Sequence, residues 1–343
     1  MYKFLFILLL AFFFPLSSYS ADKELYLYTW STYISPELFQ KFEKETGIKV
    51  IADTYDSNET LMAKLQSGGS GYDMIVPSCT HIKMLVDAGL ADKVPIDKLK
   101  NFKKIKSEYL YKPEGYSDYY SIPFAIGTTG IAIDTSVYNP KSEEESWALL
   151  FNPPPALRDK VGMVDDITSV FSVVSTFIGA PLYSNKLADI KKIEEILLGQ
   201  KPFVRTYSST GYAERMAAGD VAIQLAWNGD IYKARQQRPS LKMIFPKEGV
   251  LFWVDSFALP KDSRNREATL KFIDFFLEPE NAGKMSDAIC CANAVRGSEK
   301  YMDPKLVSSP EFQFPKNAMM MKEFACPPET QRLYDKIWRK LMQ

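Results

Sequence analysis

From residue 22 onward, short runs of β-branched and aromatic residues alternate with stretches whose apolar positions recur every three to four residues. This alternation predicts an α/β fold built on a parallel sheet. Leu25-Tyr26-Leu27-Tyr28 reads as a strand running into Thr29-Trp30-Ser31-Thr32-Tyr33. Ser35 then suits a helix N-cap and Pro36 the first helical position, with Leu38, Phe39 and Phe42 on the apolar face and Gly47 as the stop. A second strand is expected over Lys49 to Ala52, followed by a helix capped at Ser57-Asn58 that carries Leu61 and Leu65 and ends at Gly68-Gly69. Asp73-Met74-Ile75-Val76 reads as a third, buried strand. Thr80 is expected to cap the next helix, with Ile82, Leu85 and Val86 inward and Gly89 at its end.

The later chain repeats this style. Strands are read over Gly130 to Asp134, Gly162 to Val164, Val221 to Ala226 and Leu251 to Leu259. A helix capped by Ser263 then bears Leu270, Ile273 and Phe276 and is closed by Pro279. No internal repeat, low-complexity tract or flexible linker separates these parts, so structured crossings must join them.

The first twenty residues follow another pattern. Met1-Tyr2-Lys3 gives a positive start, Phe4 to Phe14 is unbroken apolar sequence, and Pro15 breaks it. Ser18-Tyr19-Ser20-Ala21 then offers small residues where a signal peptidase reads. The run is short for a membrane span, which needs about 20 apolar residues. Residues 1–20 are therefore expected to be a secretory signal cleaved near Ser20-Ala21, leaving an exported protein.

Length and charge narrow the function classes. The chain has 343 residues, enough for about two ordinary domains. Its 42 basic residues balance 42 acidic ones, which removes any prior for nucleic-acid binding. A single histidine, His81, excludes poly-His metal sites. Cys79, Cys290, Cys291 and Cys326 show no CxxC spacing and hence no zinc or redox motif. Export permits a bridge from Cys290 or Cys291 to Cys326, and four reduced, buried thiols are an equal alternative. A nucleophile made of Cys79 and His81 is disfavoured, because residues two apart on a strand-to-helix turn seldom face each other; His81 is expected on a helix surface. No metal or cofactor is expected.

One pattern carries chemistry. Trp30, Asp166, Trp227, Asp230, Trp253 and Asp255 fall at or just beyond the carboxyl ends of expected strands, or within the long one. In open α/β sheets that edge binds ligands. Carboxylates give charge-assisted hydrogen bonds to ammonium groups, while indole faces attract cations by about 0.5–2 kcal/mol each and cover methylenes. An organic cation with an apolar spine suits this set.

Tyr28-Thr29-Trp30-Ser31-Thr32-Tyr33, Phe42-Glu43-Lys44-Glu45-Thr46-Gly47-Ile48-Lys49-Val50 and Tyr55-Asp56-Ser57-Asn58-Glu59-Thr60 extend the pattern into longer motifs. So do Tyr72 to Ser78, Ser121-Ile122-Pro123-Phe124, Trp227-Asn228-Gly229, Ala234-Arg235-Gln236, Phe245 to Gly249 and Phe252-Trp253-Val254-Asp255-Ser256. Together these segments resemble the bacterial spermidine/putrescine-binding periplasmic proteins, the solute-binding subunits of polyamine ABC importers. The resemblance covers nearly all of the chain after the leader and weakens after about residue 285.

It implies a two-lobed periplasmic-binding-protein fold of type II, with two crossover strands at the hinge. Lobe 1 would hold residues 22–129 and 251–298, and lobe 2 residues 130–250 and 299–343. It implies a monomer that captures putrescine or spermidine between the lobes and delivers it to an inner-membrane ABC permease. Carried over by motif, the ligand-binding residues would be Trp30, Ser31, Tyr33, Ser78, Asp166, Trp227, Asp230, Trp253 and Asp255. Asp230 and Ser31 are nearer to the putrescine-preferring relatives. Thr32 and Ser169 stand where spermidine binders have carboxylates, Thr80 where they have a tyrosine, and a polar site residue is replaced within Glu323-Phe324-Ala325. Each missing carboxylate removes about 1.5–3 kcal/mol of charge-assisted contact. A cleft drifted to another amine or a less charged solute is the second reading. From another class, Asp166 and Asp255 would serve a secreted glycosidase if they stood about 5–9 Å apart.

Overall fold

The computed structural model describes residues 24–313, 320–322 and 326–343; the expected leader and Glu323-Phe324-Ala325 lie outside the described residues. The strands are β1 (Glu24–Trp30), β2 (Lys49–Tyr55), β3 (Met74–Ile75), β4 (Ala91–Asp92), β5 (Ser121–Asp134) and β6 (Val161–Met163). They continue as β7 (Val204–Tyr207), β8 (Ile223–Trp227), β9 (Leu241–Ile244), β10 (Val250–Pro260), β11 (Ala292–Asn293) and β12 (Met320–Lys322). The helices are α1 (Pro36–Thr46), α2 (Asn58–Gln66), α3 (Cys79–Asp87), α4 (Ala148–Phe151), α5 (Ile167–Phe177) and α6 (Leu187–Gln200). After them come α7 (Tyr212–Ala218), α8 (Asn228–Gln237), α9 (Arg266–Phe276), α10 (Pro279–Ile289), α11 (Pro304–Val307) and α12 (Pro328–Met342).

The main sheet runs in the order β2-β1-β3-β10-β5-β8-β6-β7. At one end β1 pairs parallel with β2 and β3, and at the other β6 pairs parallel with β7 and β8. Between them β5 and β10 run antiparallel to each other, so the sheet is mixed where the pattern predicted a parallel one. The reason is the length of these two strands. Each passes through both halves of the molecule, and in opposite directions.

Two hydrophobic cores result. The first gathers side chains from residues 25–126 and 253–295, among them Leu25, Phe42, Phe257 and Phe272. The second gathers residues 131–251 and 326–341, centred on Trp147, Phe171 and Tyr334. β5 gives Ile122 and Ala125 to the first core and Ile131 to Ile133 to the second; β10 gives Leu251 to the second and Val254 to Leu259 to the first. The β5–β10 register slips at Phe124, because Asp255 opposes Ala125 while Ser256 opposes Pro123. Such a bulge removes a residue from the ladder and re-aims its neighbours, and it also accommodates a proline, which has no N–H to donate.

Several termini differ from the pattern. Ser57 caps α2 as expected, its hydroxyl accepting from the Thr60 N–H. α3 starts two residues earlier than expected, with Ser78 rather than Thr80 at the N-cap. Asn265 rather than Ser263 precedes α9, because Asn265 is held by Asp73, which accepts from its backbone N–H at 2.9 Å. Pro279 opens α10 instead of closing α9, as a first-turn proline can.

His81 is the largest correction. It lies 5% exposed on α3 rather than on a helix surface, with Nδ1 2.9 Å from the Thr80 hydroxyl. Burial pushes its imidazole down to about 4. The unfolded chain takes up a proton near pH 6.5 that the folded chain refuses until pH 4. Stability is therefore untouched above pH 6.5 and falls as pH drops through this window, by roughly 2–3 kcal/mol at pH 4.5. His81→Gln is expected to remove that part of the acid slope, measured by denaturant unfolding at pH 7 and 4.5. An identical slope in the variant would show that His81 is protonated freely in the fold.

Candidate functional site

The two cores face each other across a cavity of about 100 Å³. The structure brings all nine candidate residues to its wall: Trp30, Ser31, Tyr33, Ser78, Asp166, Trp227, Asp230, Trp253 and Asp255. Seven of them are placed there by the end of a regular element. β1 ends at Trp30, and the following turn carries Ser31 and Tyr33. Ser78 is the N-cap of α3, Asp166 the N-cap of α5, and Trp227 the N-cap of α8, whose first turn carries Asp230. Trp253 and Asp255 come from the middle of β10, beside the bulge.

Asp255 is the most tightly held. Its Oδ2 accepts from the Tyr33 hydroxyl at 2.7 Å and its Oδ1 from the Ser78 hydroxyl at 2.6 Å. Asp166 accepts from the Ser169 N–H at 2.6 Å, capping its own helix. Asp230 accepts from the Tyr212 hydroxyl at 2.8 Å, and that phenol oxygen in turn accepts the Trp227 backbone N–H at 3.0 Å. Trp227 also meets Tyr212 edge to face, and Trp30 leans on Tyr55. The indole N–H groups of Trp30 and Trp253 are buried without a partner among the described residues.

The electrostatics are one-sided. Among the described residues, the charged side chains lining the cavity are those of Asp56, Asp166, Asp230 and Asp255, and no lysine, arginine or histidine joins them. Burial pushes the Asp255 carboxyl up to about 6, against the lowering effect of its two hydroxyl donors, with Asp166 adding repulsion. Burial also raises Asp166, opposed by its hydrogen bonds to Ser169, and raises Asp230, opposed by Lys233 and Tyr212. The Tyr33 and Tyr212 phenols are held well above their ordinary range, by burial first and then by these same carboxylates, so both stay protonated as donors. Three acidic side chains in a desolvated space, without cations, bind positive charge strongly. Aromatic faces beside them add cation–π attraction and apolar contact.

Some of the wall was not foreseen. Asn58 is buried at the start of α2 and accepts from the Ser78 N–H at 3.1 Å, fixing the loop that presents Ser78. Ser209 and Cys291 also line the cavity. Cys291 follows α10 in the chain and touches α8 only through the tertiary fold, so no local signal marks it. All four cysteines are free and buried. Cys291 packs in the first core and Cys326 in the second, so no bridge joins them. Among the described residues no cluster of acidic, cysteine or histidine side chains is arranged for a metal ion, and no helix is long and apolar enough to cross a membrane.

A model of the bacterial extracellular solute-binding proteins matches residues 37–312. The spermidine/putrescine-binding periplasmic protein of Salmonella typhimurium is 35% identical over 85% of this chain and 84% of its own length. The putrescine-binding periplasmic protein SpuD of Pseudomonas aeruginosa is 31% identical over 93% of this chain and 92% of its own. Among solved structures, a Listeria monocytogenes protein described as a spermidine/putrescine ABC transporter superposes with a TM-score of 0.85 at 26% identity, covering 94% of this chain and 99% of that one. The Tp0655 (TpPotD) lipoprotein of Treponema pallidum gives a TM-score of 0.80 at 25% identity, over 93% of this chain and 99% of that one. The fold is therefore the two-lobed, type II periplasmic-binding-protein fold. The chain belongs to the bacterial extracellular solute-binding proteins, in the family of the spermidine/putrescine-binding periplasmic proteins.

Proposed function

We propose that this protein is the exported solute-binding subunit of a polyamine importer and that the inter-lobe cavity holds the amine. The observation that carries the reading is a cavity wall with Asp166, Asp230 and Asp255 and, among the described residues, no basic side chain, set among Trp30, Trp227 and Trp253. The carboxylates meet the ammonium ends and the indoles cover the methylenes between them. The relatives, a spermidine/putrescine-binding protein and a putrescine-binding protein, support the same ligand class. Ser31, Tyr33 and Ser78 then act as hydroxyl partners, Tyr33 and Ser78 by orienting Asp255.

In this reading lobe 1 comprises residues 22–129 and 251–298, lobe 2 comprises 130–250 and 299–343, and β5 and β10 form the hinge. Amine binding draws the lobes together, and the closed form is what a membrane permease recognises. The leader over residues 1–20 directs the protein to the periplasm, where it works as a monomer and performs no catalysis. Thr32 and Ser169 line the cavity with hydroxyls, which favours fewer ligand charges and supports the drifted, less charged solute as the second reading.

Calorimetric titration of the mature protein, stripped of ligand by unfolding and refolding, tests this. Putrescine, spermidine and cadaverine are titrated against a neutral amino acid. At least one polyamine is expected to bind with micromolar or tighter affinity and the amino acid not at all. Absence of heat and of any thermal shift with every amine overturns the ligand assignment.

A further inference from the structure

Among the described residues that line the cavity, Asp56 is the one acid outside the nine candidates. It follows Tyr55, the last residue of β2. β1 and β2 pair parallel with Trp30 opposite Tyr55, and the Ser31 N–H continues the ladder by donating to the Tyr55 carbonyl at 3.3 Å. The next position in this register puts Asp56 beside Ser31. Further in, Ser78 stands opposite Asp255 in an antiparallel bridge and donates its hydroxyl to that carboxylate. The strand order β2-β1-β3-β10 therefore sets Asp56, Ser31, Ser78 and Asp255 in one row along the cavity wall. A carboxylate stands at each end of the row, with two hydroxyls between. Three strand spacings, about 14 Å, separate the ends. The Trp30 ring, held against Tyr55 at 4.7 Å between centroids, flanks the row with an apolar face. The two ends differ in exposure. Asp255 is buried and already holds two hydroxyl donors. Asp56 is exposed, and its carboxylate takes part in no hydrogen bond or ion pair among the described residues. It marks the open end.

We propose that Asp56 is a specificity-determining residue of the cavity, receiving the outermost ammonium group of a triamine while Asp255 holds another ammonium at the closed end of the row. The inference rests on the polyamine reading above. The two nitrogens of putrescine lie closer together than the ends of the row, so a diamine anchored at Asp255 stops short of Asp56. A chain lengthened by an aminopropyl arm reaches it, passing its methylenes across the Trp30 face. Thr32 and Ser169 bring only hydroxyls to the wall, and Asp56 restores a fourth carboxylate to set against a third positive charge. Its exposure bounds the effect. A charge pair at the open end is weakened by water and by salt, so Asp56 tilts the preference between amines severalfold and leaves the inner contacts to decide whether an amine binds at all.

The test is calorimetric titration of spermidine and putrescine into the full mature chain and into Asp56→Asn, Asp56→Glu and Asp53→Asn, at low and at high salt. Asp53 is the control for charge alone: it is exposed on the same strand, accepts from the Tyr72 hydroxyl at 2.9 Å and does not line the cavity. Asp56→Asn is expected to bind spermidine about fivefold more weakly at low salt, with a smaller deficit at high salt. Its putrescine affinity, and both affinities of Asp53→Asn, are expected to change by less than about twofold. Asp56→Glu, which keeps the charge, is expected to retain most of the spermidine affinity. Unchanged spermidine binding in Asp56→Asn overturns the proposal. So does an equal loss for both amines, since that marks a residue that merely supports the start of α2. An equal spermidine loss in Asp53→Asn also overturns it, because a distant charge then suffices. A wild type that binds putrescine and not spermidine overturns it and leaves the polyamine reading standing. If neither amine binds the wild type, the polyamine reading itself has failed, which the same experiment distinguishes.

Discussion

Asp255→Asn is expected to weaken polyamine binding by at least tenfold and, in the same protein, to raise the melting temperature of the ligand-free form. The two effects have one cause. Asp255 is buried and receives two hydroxyl donors, yet its carboxyl still titrates near 6 instead of the usual 3.8. The ionised form is thus disfavoured in the folded, empty protein. A group whose folded pKa is raised costs stability wherever it is ionised: nothing below about pH 4, increasing up to pH 6 and constant above. Above pH 6 the wild type carries a penalty of order 2–3 kcal/mol that the asparagine form lacks. A bound ammonium group cancels this penalty in the wild type and contributes about 1.5–3 kcal/mol as a charge-assisted bond. The measurements are titration calorimetry for affinity and thermal melts of ligand-free protein at pH 5 and pH 8. The stabilisation should be full at pH 8 and roughly halved at pH 5, disappearing only towards pH 4. An Asp255→Asn protein with wild-type affinity would remove Asp255 from the site.

Gly229→Ala should be as damaging to binding, for a steric reason. Gly229 is the second residue of α8, which packs in the second core through Ile231 and Ala234. A Cβ there would lie 2.3 Å from the Cys290 carbonyl oxygen and 3.2 Å from the Cys291 sulfur. Those residues follow α10, which packs in the first core through Ala282, Met285 and Ile289. Alanine favours an isolated helix over glycine by roughly 1 kcal/mol, so the helix itself has no objection. The clash is with backbone across the two lobes, and it is relieved only by moving them apart. Affinity for the amine is expected to fall at least tenfold, while ligand-free thermal stability changes little. Small-angle scattering should show that the variant stays extended when amine is added. Normal affinity in Gly229→Ala would show that this contact plays no part in closing the cleft.

Much of the site was legible because its residues sit where strands end. A strand is marked by its apolar run, so Trp30, Asp166, Trp227 and Asp230 could be placed from the pattern before any relative was considered. Less legible was the first part of β5. Ser121 to Gly130 contains Pro123, Gly127 and Gly130, residues that argue against a central strand. The fold uses each of them. Pro123 sits at the register slip, and Gly127 lies under the Trp253 ring, where a Cβ would come within 2.2 Å. A lone polar residue on a helix normally faces water, and His81 does not. Here α3 packs against β10 and carries a buried flank that includes a neutral imidazole. Asn58 and Cys291 reach the cavity through tertiary contacts alone, and nothing in their local sequence announces it.

The passage of β5 and β10 through both cores also bears on how the chain is assembled. Gly127 pairs with Trp253, so the ladder that joins the lobes closes a very long loop, and neither core is complete until β10 has been made. Contacts of such sequence separation form slowly, because the loop-closure entropy is lost before they can repay it. No single cut yields a self-sufficient half: a fragment ending before β10 lacks the strand that completes the first core, and a fragment beginning after β5 lacks the one that both cores share. Refolding should accordingly be one late, cooperative docking rather than two independent domain transitions, and a nascent chain halted before residue 250 should remain accessible to protease along its whole length.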